Sequence, residues 1–158
     1  YDANPKFFKQ PEEVKASHIL IKVDADATEA QKSEARQKIK NVQQKLKSGE
    51  DFALLAKEFS QGPSSVKGGD LGYFRRGQMV KSFEDAAFSL KLNEVSDIVE
   101  TRFGYHLIKV VDKKPEKIFT YMEVKDRLNQ RIKQQKVEKE AGIYINKLKE
   151  DAKIEKSL

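Results

Sequence analysis

The chain has 158 residues, 38% of them hydrophobic and 35% charged, enough for one moderate core, either as one domain or as one domain with an appendage. It has no cysteine, which excludes disulfides, thiolate nucleophiles and cysteine-based zinc sites, and two histidines are too few for a histidine-rich metal centre. The net charge of +6 comes from interleaved acids and bases rather than a massed patch, so nucleic acid is not an expected partner. No run approaches the ~18 consecutive apolar residues of a membrane span, so no stable membrane insertion is expected. The opening Tyr1-Asp2-Ala3-Asn4 has neither the charged leader nor the apolar block of a signal peptide, and a start without Met reads as a processed or truncated chain.

Residues 1–13 carry Pro5, Pro11 and the Phe7-Phe8 pair, and read as an extended lead-in tacked down by the phenylalanines. Val14 to Val23 has strand alternation, with Ile19, Ile21 and Val23 on one face and Ala16, His18 and Leu20 on the other. Both faces are largely apolar, which predicts a central strand with His18 in packed surroundings. Thr28 and Gln31 form a capping box for a helix whose stripe is Ala35, Ile39, Val42 and Leu46, ended by Gly49. A second helix starts at Asp51 with Phe52, Leu55, Ala56 and Phe59 inward, and stops before Pro63.

A glycine-rich connection surrounds a short strand, Leu71 to Phe74; connections this long are more often functional than not. Ser82 then caps a short helix that buries Phe83, Ala87 and Phe88. Ile98–Thr101 and Tyr105–Asp112 make a hairpin turning at Arg102-Phe103-Gly104, with His106 on the face of Ile108 and Val110. Thr120 and Glu123 form another capping box, opening a long helix from Tyr121 towards Lys149 with Val124, Leu128, Ile132, Val137, Ala141, Ile145 and Leu148 as a narrow apolar stripe. Such a helix cannot bury itself alone and needs a partner surface.

Four segments, in order and spacing, carry a resemblance. They are Ala16-Ser17-His18-Ile19-Leu20, then Phe52-Ala53-Leu54-Leu55-Ala56 leading to Ser60, then Lys67-Gly68-Gly69-Asp70-Leu71-Gly72-Tyr73-Phe74 with Gly77-Gln78-Met79-Val80. The last is Phe83-Glu84-Asp85-Ala86-Ala87-Phe88 followed by Thr101-Arg102-Phe103-Gly104-Tyr105-His106-Leu107-Ile108. Together they resemble the parvulin (PpiC-type) family of peptidyl-prolyl cis/trans isomerases. The resemblance implies an α+β parvulin fold, βα3βαβ2, with a small antiparallel or mixed sheet flanked by helices over residues 14–113, plus a long C-terminal helix within 114–158.

It further implies isomerase activity on X-Pro bonds of unfolded or flexible polypeptides, with no cofactor and no metal. His18 and His106 correspond to the paired histidines of the parvulin site and Thr101 to the hydroxyl that orients them. Leu71, Phe74, Met79 and Phe83 correspond to the proline pocket, and Phe103 adds apolar surface at its rim. The residues leave two readings of each open, because a histidine in an apolar strand, a Met or a Phe at such spacing is commonly core. The glycines are read as backbone conformation, since the phosphate-binding lysine and hydroxyl pattern is lacking.

Three departures refine the expectation. The family often has cysteine or aspartate two residues after the serine at Ser60; here Gly62 stands there. Asp24 and Asp26 make the loop after the first strand acidic where phosphate-selective members carry arginines, so a phospho-Ser/Thr-Pro preference is not expected. Phe103 favours hydrophobic residues before proline. The flanks resemble exported foldases similar to SurA and PrsA, in which the isomerase unit interrupts a helical chaperone domain; that branch implies the periplasm or cell envelope. A homodimer through the C-terminal helix is a further expectation. The alternative is a catalytically weak peptide-binding chaperone module that retains the fold.

Overall fold

In the computed structural model, which describes residues 1–151, the strands are β1 (Lys9–Gln10), β2 (Glu13–Lys22), β3 (Asp70–Arg75), β4 (Val99–Thr101), β5 (Gly104–Lys114) and β6 (Lys117–Ile118). The helices are α1 (Glu29–Lys47), α2 (Phe52–Phe59), α3 (Lys81–Ser89) and α4 (Tyr121–Asp151), with 3-10 turns at Pro5–Phe8 and Ser65–Lys67. Residues 152–158 of the expected C-terminal segment lie outside the described residues. The chain divides into two compact units, Pro11–Lys117 and a second formed by Tyr1–Gln10 with the segment from Ile118 onward.

The first unit is built on an antiparallel sheet of order β3-β2-β5-β4. Its α+β architecture is the expected one, with the 3-10 turn at Ser65–Lys67 standing in the place of a third helix between the first two sheet strands. Alternation along β2 and β5 sends side chains to two cores. Ile19, Ile21, Tyr105 and Leu107 join Ala35, Ile39, Val42, Phe52, Leu55 and Ala56 from α1 and α2. Val14, Ala16, Ile108 and Val110 join Phe74, Phe83, Ala87 and Phe88 on the other face, where α3 packs. The capping box at Thr28 and Gln31 is present, and Asp51 caps α2 by accepting from the Leu54 amide at 2.9 Å.

Helix α3 departs from expectation. It begins at Lys81 with Val80 at the cap position and no side-chain cap bond, while the Ser82 hydroxyl donates to the Glu100 carbonyl at 2.9 Å. Ser82 lies inside the first turn, past the cap position, and its hydroxyl hydrogen ties α3 to β4 through the Glu100 carbonyl.

In the second unit the lead-in is not extended. Pro5–Phe8 forms a 3-10 turn, Phe8 packs on Tyr1 with ring centroids 4.7 Å apart, and Phe7 stays exposed. The Tyr1 hydroxyl donates to the Phe119 carbonyl, and the Phe119 amide donates to the Phe8 carbonyl, both at 2.8 Å. The expected capping box of α4 forms between Thr120 and Glu123.

The expected stripe on α4 is not one stripe. At about 100° per residue, Val124, Leu128 and Ile132 share one side, and the five-residue step to Val137 carries Ala141, Ile145 and Leu148 to a side well over 100° away. Val124 is 1% exposed, whereas Ile132, Val137, Ile145 and Leu148 are each 46% exposed or more.

The loop between α2 and β3 takes its course from the exposed edge of β2. The His18 amide donates to the Gly69 carbonyl at 3.0 Å, the Leu20 amide to Ser60 Oγ at 3.0 Å and the Lys22 amide to Gln61 Oε1 at 2.7 Å. Gly69 sits at φ +82 with its backbone so close to β2 that a Cβ would run into the His18 backbone. Gly72, also at positive φ (+69), faces open space. Gly69→Ala should therefore cost at least about 2 kcal/mol in urea unfolding, and Gly72→Ala only the left-handed penalty of about 1–2 kcal/mol. Equal costs at the two positions would mean that the close approach at Gly69 is not a constraint.

Candidate active site

Strand register assembles the central group. His18 lies opposite Ile108 in the β2–β5 ladder, which makes it the diagonal neighbour of His106 on the same face; Thr101 pairs with Gly104 and is diagonal to His106 in the same way. The three residues therefore run diagonally across β2, β5 and β4. His18 Nδ1 and His106 Nδ1 are 3.2 Å apart, and His106 Nε2 is 2.8 Å from Thr101 Oγ1. At the far end, His18 Nε2 lies 2.9 Å from Ser64 Oγ. The Phe103 amide donates to Thr101 Oγ1 at 3.1 Å, fixing the hydroxyl at the hairpin turn.

Phe83 from α3 stands edge-on to both imidazoles, with ring centroids 5.8 Å from His18 and 5.4 Å from His106. Phe74 follows at 6.1 Å from Phe83, and Leu71 and Met79 are partly buried against the same core. Phe83 is only 3% exposed, so it is as much a member of the core as a wall of a slot. The loop that carries Met79 is tied down by the buried Glu84, whose carboxylate accepts from the Gly77 amide.

A cavity of about 420 Å³ opens beside the pair, lined by His18, Leu20, Val23, Ala25, Pro63, Phe103 and His106, with Lys22, Asp24 and Arg102 as its charged members. Of the eight residues singled out from sequence, His18, His106 and Phe103 line this cavity. Thr101 is held behind His106, and Leu71, Phe74, Met79 and Phe83 belong to the second core. The rim is less acidic than the Asp24–Asp26 loop suggested, because β2 and the hairpin turn bring Lys22 and Arg102 beside Asp24. Lys22 stands two residues before Asp24 in the chain, and Arg102 joins them from the hairpin turn between β4 and β5.

Both imidazoles are held neutral. Burial lowers the pKa of His18, and burial together with the neighbouring His18 lowers that of His106 to about 4. Two adjacent rings in an apolar setting cannot both accept protons without repulsion and desolvation, so at neutral pH the group works as a set of hydrogen bonds without charge.

The model of the PPIC-type PPIase domain matches residues 5–114, more than half the chain. The chain belongs to the PPIC-type peptidyl-prolyl isomerase family. Among relatives of this isomerase domain, the foldase protein PrsA of Geobacillus sp. (strain WCH70) is 45% identical over 144 residues, covering 90% of this chain and 47% of its own. A solved structure from work on the SurA-like chaperones PEB4 and Cj1289 of Campylobacter jejuni, the latter described as periplasmic, superposes with TM-score 0.66 at 32% identity over 99% of this chain and 61% of that one. An isolated PpiC-type isomerase domain superposes with TM-score 0.62 at 26% identity, covering 68% of this chain and 96% of the other. The chain spans about half the length of the curated relatives it matches.

The sequence reading of the isomerase domain missed Ser64, Leu20, Lys22, Pro63 and Arg102. Nothing in the sequence around Ser64 shows that the turn closed by the Ser65 amide on the Gly62 carbonyl brings it back to β2.

The neutral pair predicts a pH dependence. Unfolded chains bind protons at the ordinary histidine pKa of 6.5, while folded His106 binds one only near 4. Between these values the unfolded state holds more protons, so the contribution to stability is complete above about 6.5 and is lost as pH falls towards 4. NMR titration should find no protonation of His106 between pH 8 and 5, with urea midpoints declining below pH 6.5. A His106 resonance that titrates near 6.5 would show the ring to be solvated.

Proposed function

We propose that the chain isomerises X-Pro bonds in unfolded or flexible polypeptides and forms part of an extracytoplasmic foldase. The observation that carries the reading is the pair of neutral, mutually bonded imidazoles at an apolar cavity, backed by Phe83. Rotation about the peptide bond faces about 18–20 kcal/mol, and a hundred- to ten-thousandfold acceleration requires lowering it by only about 3–5 kcal/mol. The twisted amide has lost the charge separation that water stabilises, so apolar surroundings favour it over the planar ground state. An imidazolium beside the amide would favour the planar dipole instead, which is why neutral rings suit this chemistry.

In this reading Leu71, Phe74, Met79 and Phe83 grip the proline ring, His18, His106 and Thr101 make the floor, and Phe103 with Val23, Ala25 and Pro63 receives the residue before proline. The mixed charges of Lys22, Asp24 and Arg102 give no concentrated anion site, so apolar contact decides the preference. No cofactor or metal enters this mechanism. The extracytoplasmic setting, in the periplasm or cell envelope, is supported by the foldase relatives and by a structural neighbour from work on two SurA-like chaperones, one of them described as periplasmic. No helix among the described residues is long and apolar enough to cross a membrane. The segments 1–13 and 114–158 are proposed as parts of a chaperone domain completed by the rest of the longer protein, with exposed Ile132, Val137, Ile145 and Leu148 meeting a second copy when this chain is alone.

A protease-coupled assay on proline tetrapeptides tests the activity. Leu or Phe before proline should give kcat/KM about tenfold above Glu or phosphoserine, a difference of about 1.4 kcal/mol in transition-state binding. Met79→Ala should lower kcat/KM about tenfold at a stability cost below the 2–5 kcal/mol of a fully buried site, since Met79 is only partly buried. Turnover no faster than the uncatalysed rate would leave a binding module. In sedimentation the full chain should self-associate with rising concentration, and a chain ending at Lys117 should stay monomeric and active. A full chain monomeric at high concentration would remove the dimer.

A further inference from the structure

The bonds around the imidazole pair form a single file of four groups, Thr101, His106, His18 and Ser64, with spacings of 2.8, 3.2 and 2.9 Å. Two directions of donation are possible in such a file, and each fixes the tautomer of both rings. In one, Thr101 donates to His106 Nε2, His106 Nδ1–H donates to His18 Nδ1, and His18 Nε2–H donates to Ser64 Oγ. In the other every proton is reversed. Thr101 Oγ1 already accepts the Phe103 amide. Each direction leaves one hydroxyl hydrogen outside the file, that of Ser64 in the first and that of Thr101 in the reversed one, and in the reversed file Thr101 Oγ1 would accept a second N–H. The first direction spares Thr101 Oγ1 the second donor and leaves over the hydroxyl hydrogen of the half-buried Ser64.

The far end of the file depends on one side chain and on a space beside it. Gly62 is buried, and a Cβ at this position would sit 3.3 Å from His18 Nε2 and 3.6 Å from Ser60 Oγ. Any side chain at 62 would therefore crowd the nitrogen that Ser64 reaches. Ser64 itself is half-buried, and its carbonyl accepts the amides of Lys67 and Gly69, so the turn holds its backbone independently of its hydroxyl.

We propose that Ser64 is a positioning residue of the isomerase site: its hydroxyl accepts from His18 Nε2–H and, through the Nδ1–Nδ1 bond, sets the tautomers of both imidazoles, with Gly62 leaving the room this requires. The effect on turnover rests on the reading of the histidine pair as the floor of the site. The effect on the rings does not. Removing the hydroxyl orphans an N–H in the first direction but only a lone pair in the reversed one, and an orphaned donor is the costlier of the two. The preference for the first direction therefore weakens when Ser64 is truncated.

Long-range proton–nitrogen NMR of the imidazoles reads this directly in the intact chain. The wild type should show His18 protonated at Nε2 and His106 at Nδ1. Ser64→Ala should move the nitrogen shifts of both rings towards values intermediate between the two neutral forms and lower kcat about fivefold with KM little changed. Ser64→Thr, which keeps the hydroxyl, should restore both. Gly62→Ala should give the same ring shifts as Ser64→Ala, and the double variant should be no worse than either alone. Unchanged ring shifts in Ser64→Ala, with activity following the folded fraction, would overturn the proposal and leave Ser64 a turn residue. Shifted rings with unchanged turnover would uphold the hold of Ser64 on His18 and instead remove the histidine pair from catalysis.

Discussion

The outer edge of β2 has three amides to satisfy, those of His18, Leu20 and Lys22, and β3 does not pair with that stretch. The loop after α2 satisfies them with a backbone carbonyl at Gly69 and side-chain oxygens at Ser60 and Gln61. A buried or half-buried amide left without a partner costs about 1–3 kcal/mol, so the loop is held in register with the strand. Much else depends on this. It puts Ser64 next to His18, requires glycine at position 69, and places Pro63 on the wall of the cavity. The proposed site is thus assembled by main-chain bookkeeping before any side chain in it is chosen for chemistry.

On the opposite side of β2 the same logic runs through the ladder. Antiparallel pairing with β5, and of β5 with β4, lines up His18, His106 and Thr101 on one diagonal of one face. The helix that covers that face supplies Phe83, and the aromatic ring excludes water from the imidazoles. Burial and mutual proximity then depress their basicity, so the neutrality of the floor follows from the packing and needs no dedicated charge partner.

Much of this was legible in the chain. Alternation in Ala16-Ser17-His18-Ile19-Leu20 and in Tyr105-His106-Leu107-Ile108 assigns both histidines to one kind of face, and the caps at Thr28, Asp51 and Thr120 were readable from single residues and their spacing. Register is not readable, because pairing of distant strands is set by the whole sheet; the diagonal with Thr101 and the arrival of Arg102 beside Asp24 are consequences of it. Ser82 misled for a related reason, since a cap and a tie to a neighbouring strand look alike in sequence. On α4 the spacings of three and four suggest one stripe, but the single step of five between Ile132 and Val137 turns the apolar positions to another side of the helix.

The neutral, mutually bonded imidazoles also bear on how such an isomerase could be regulated. Many enzymes are throttled through a residue that gains or loses a proton near neutrality, whereas His106 takes up a proton only as pH nears about 4, and burial lowers the pKa of His18 as well. A change from neutral to mildly acid surroundings therefore leaves the hydrogen-bonded His106 ring in the same charge state.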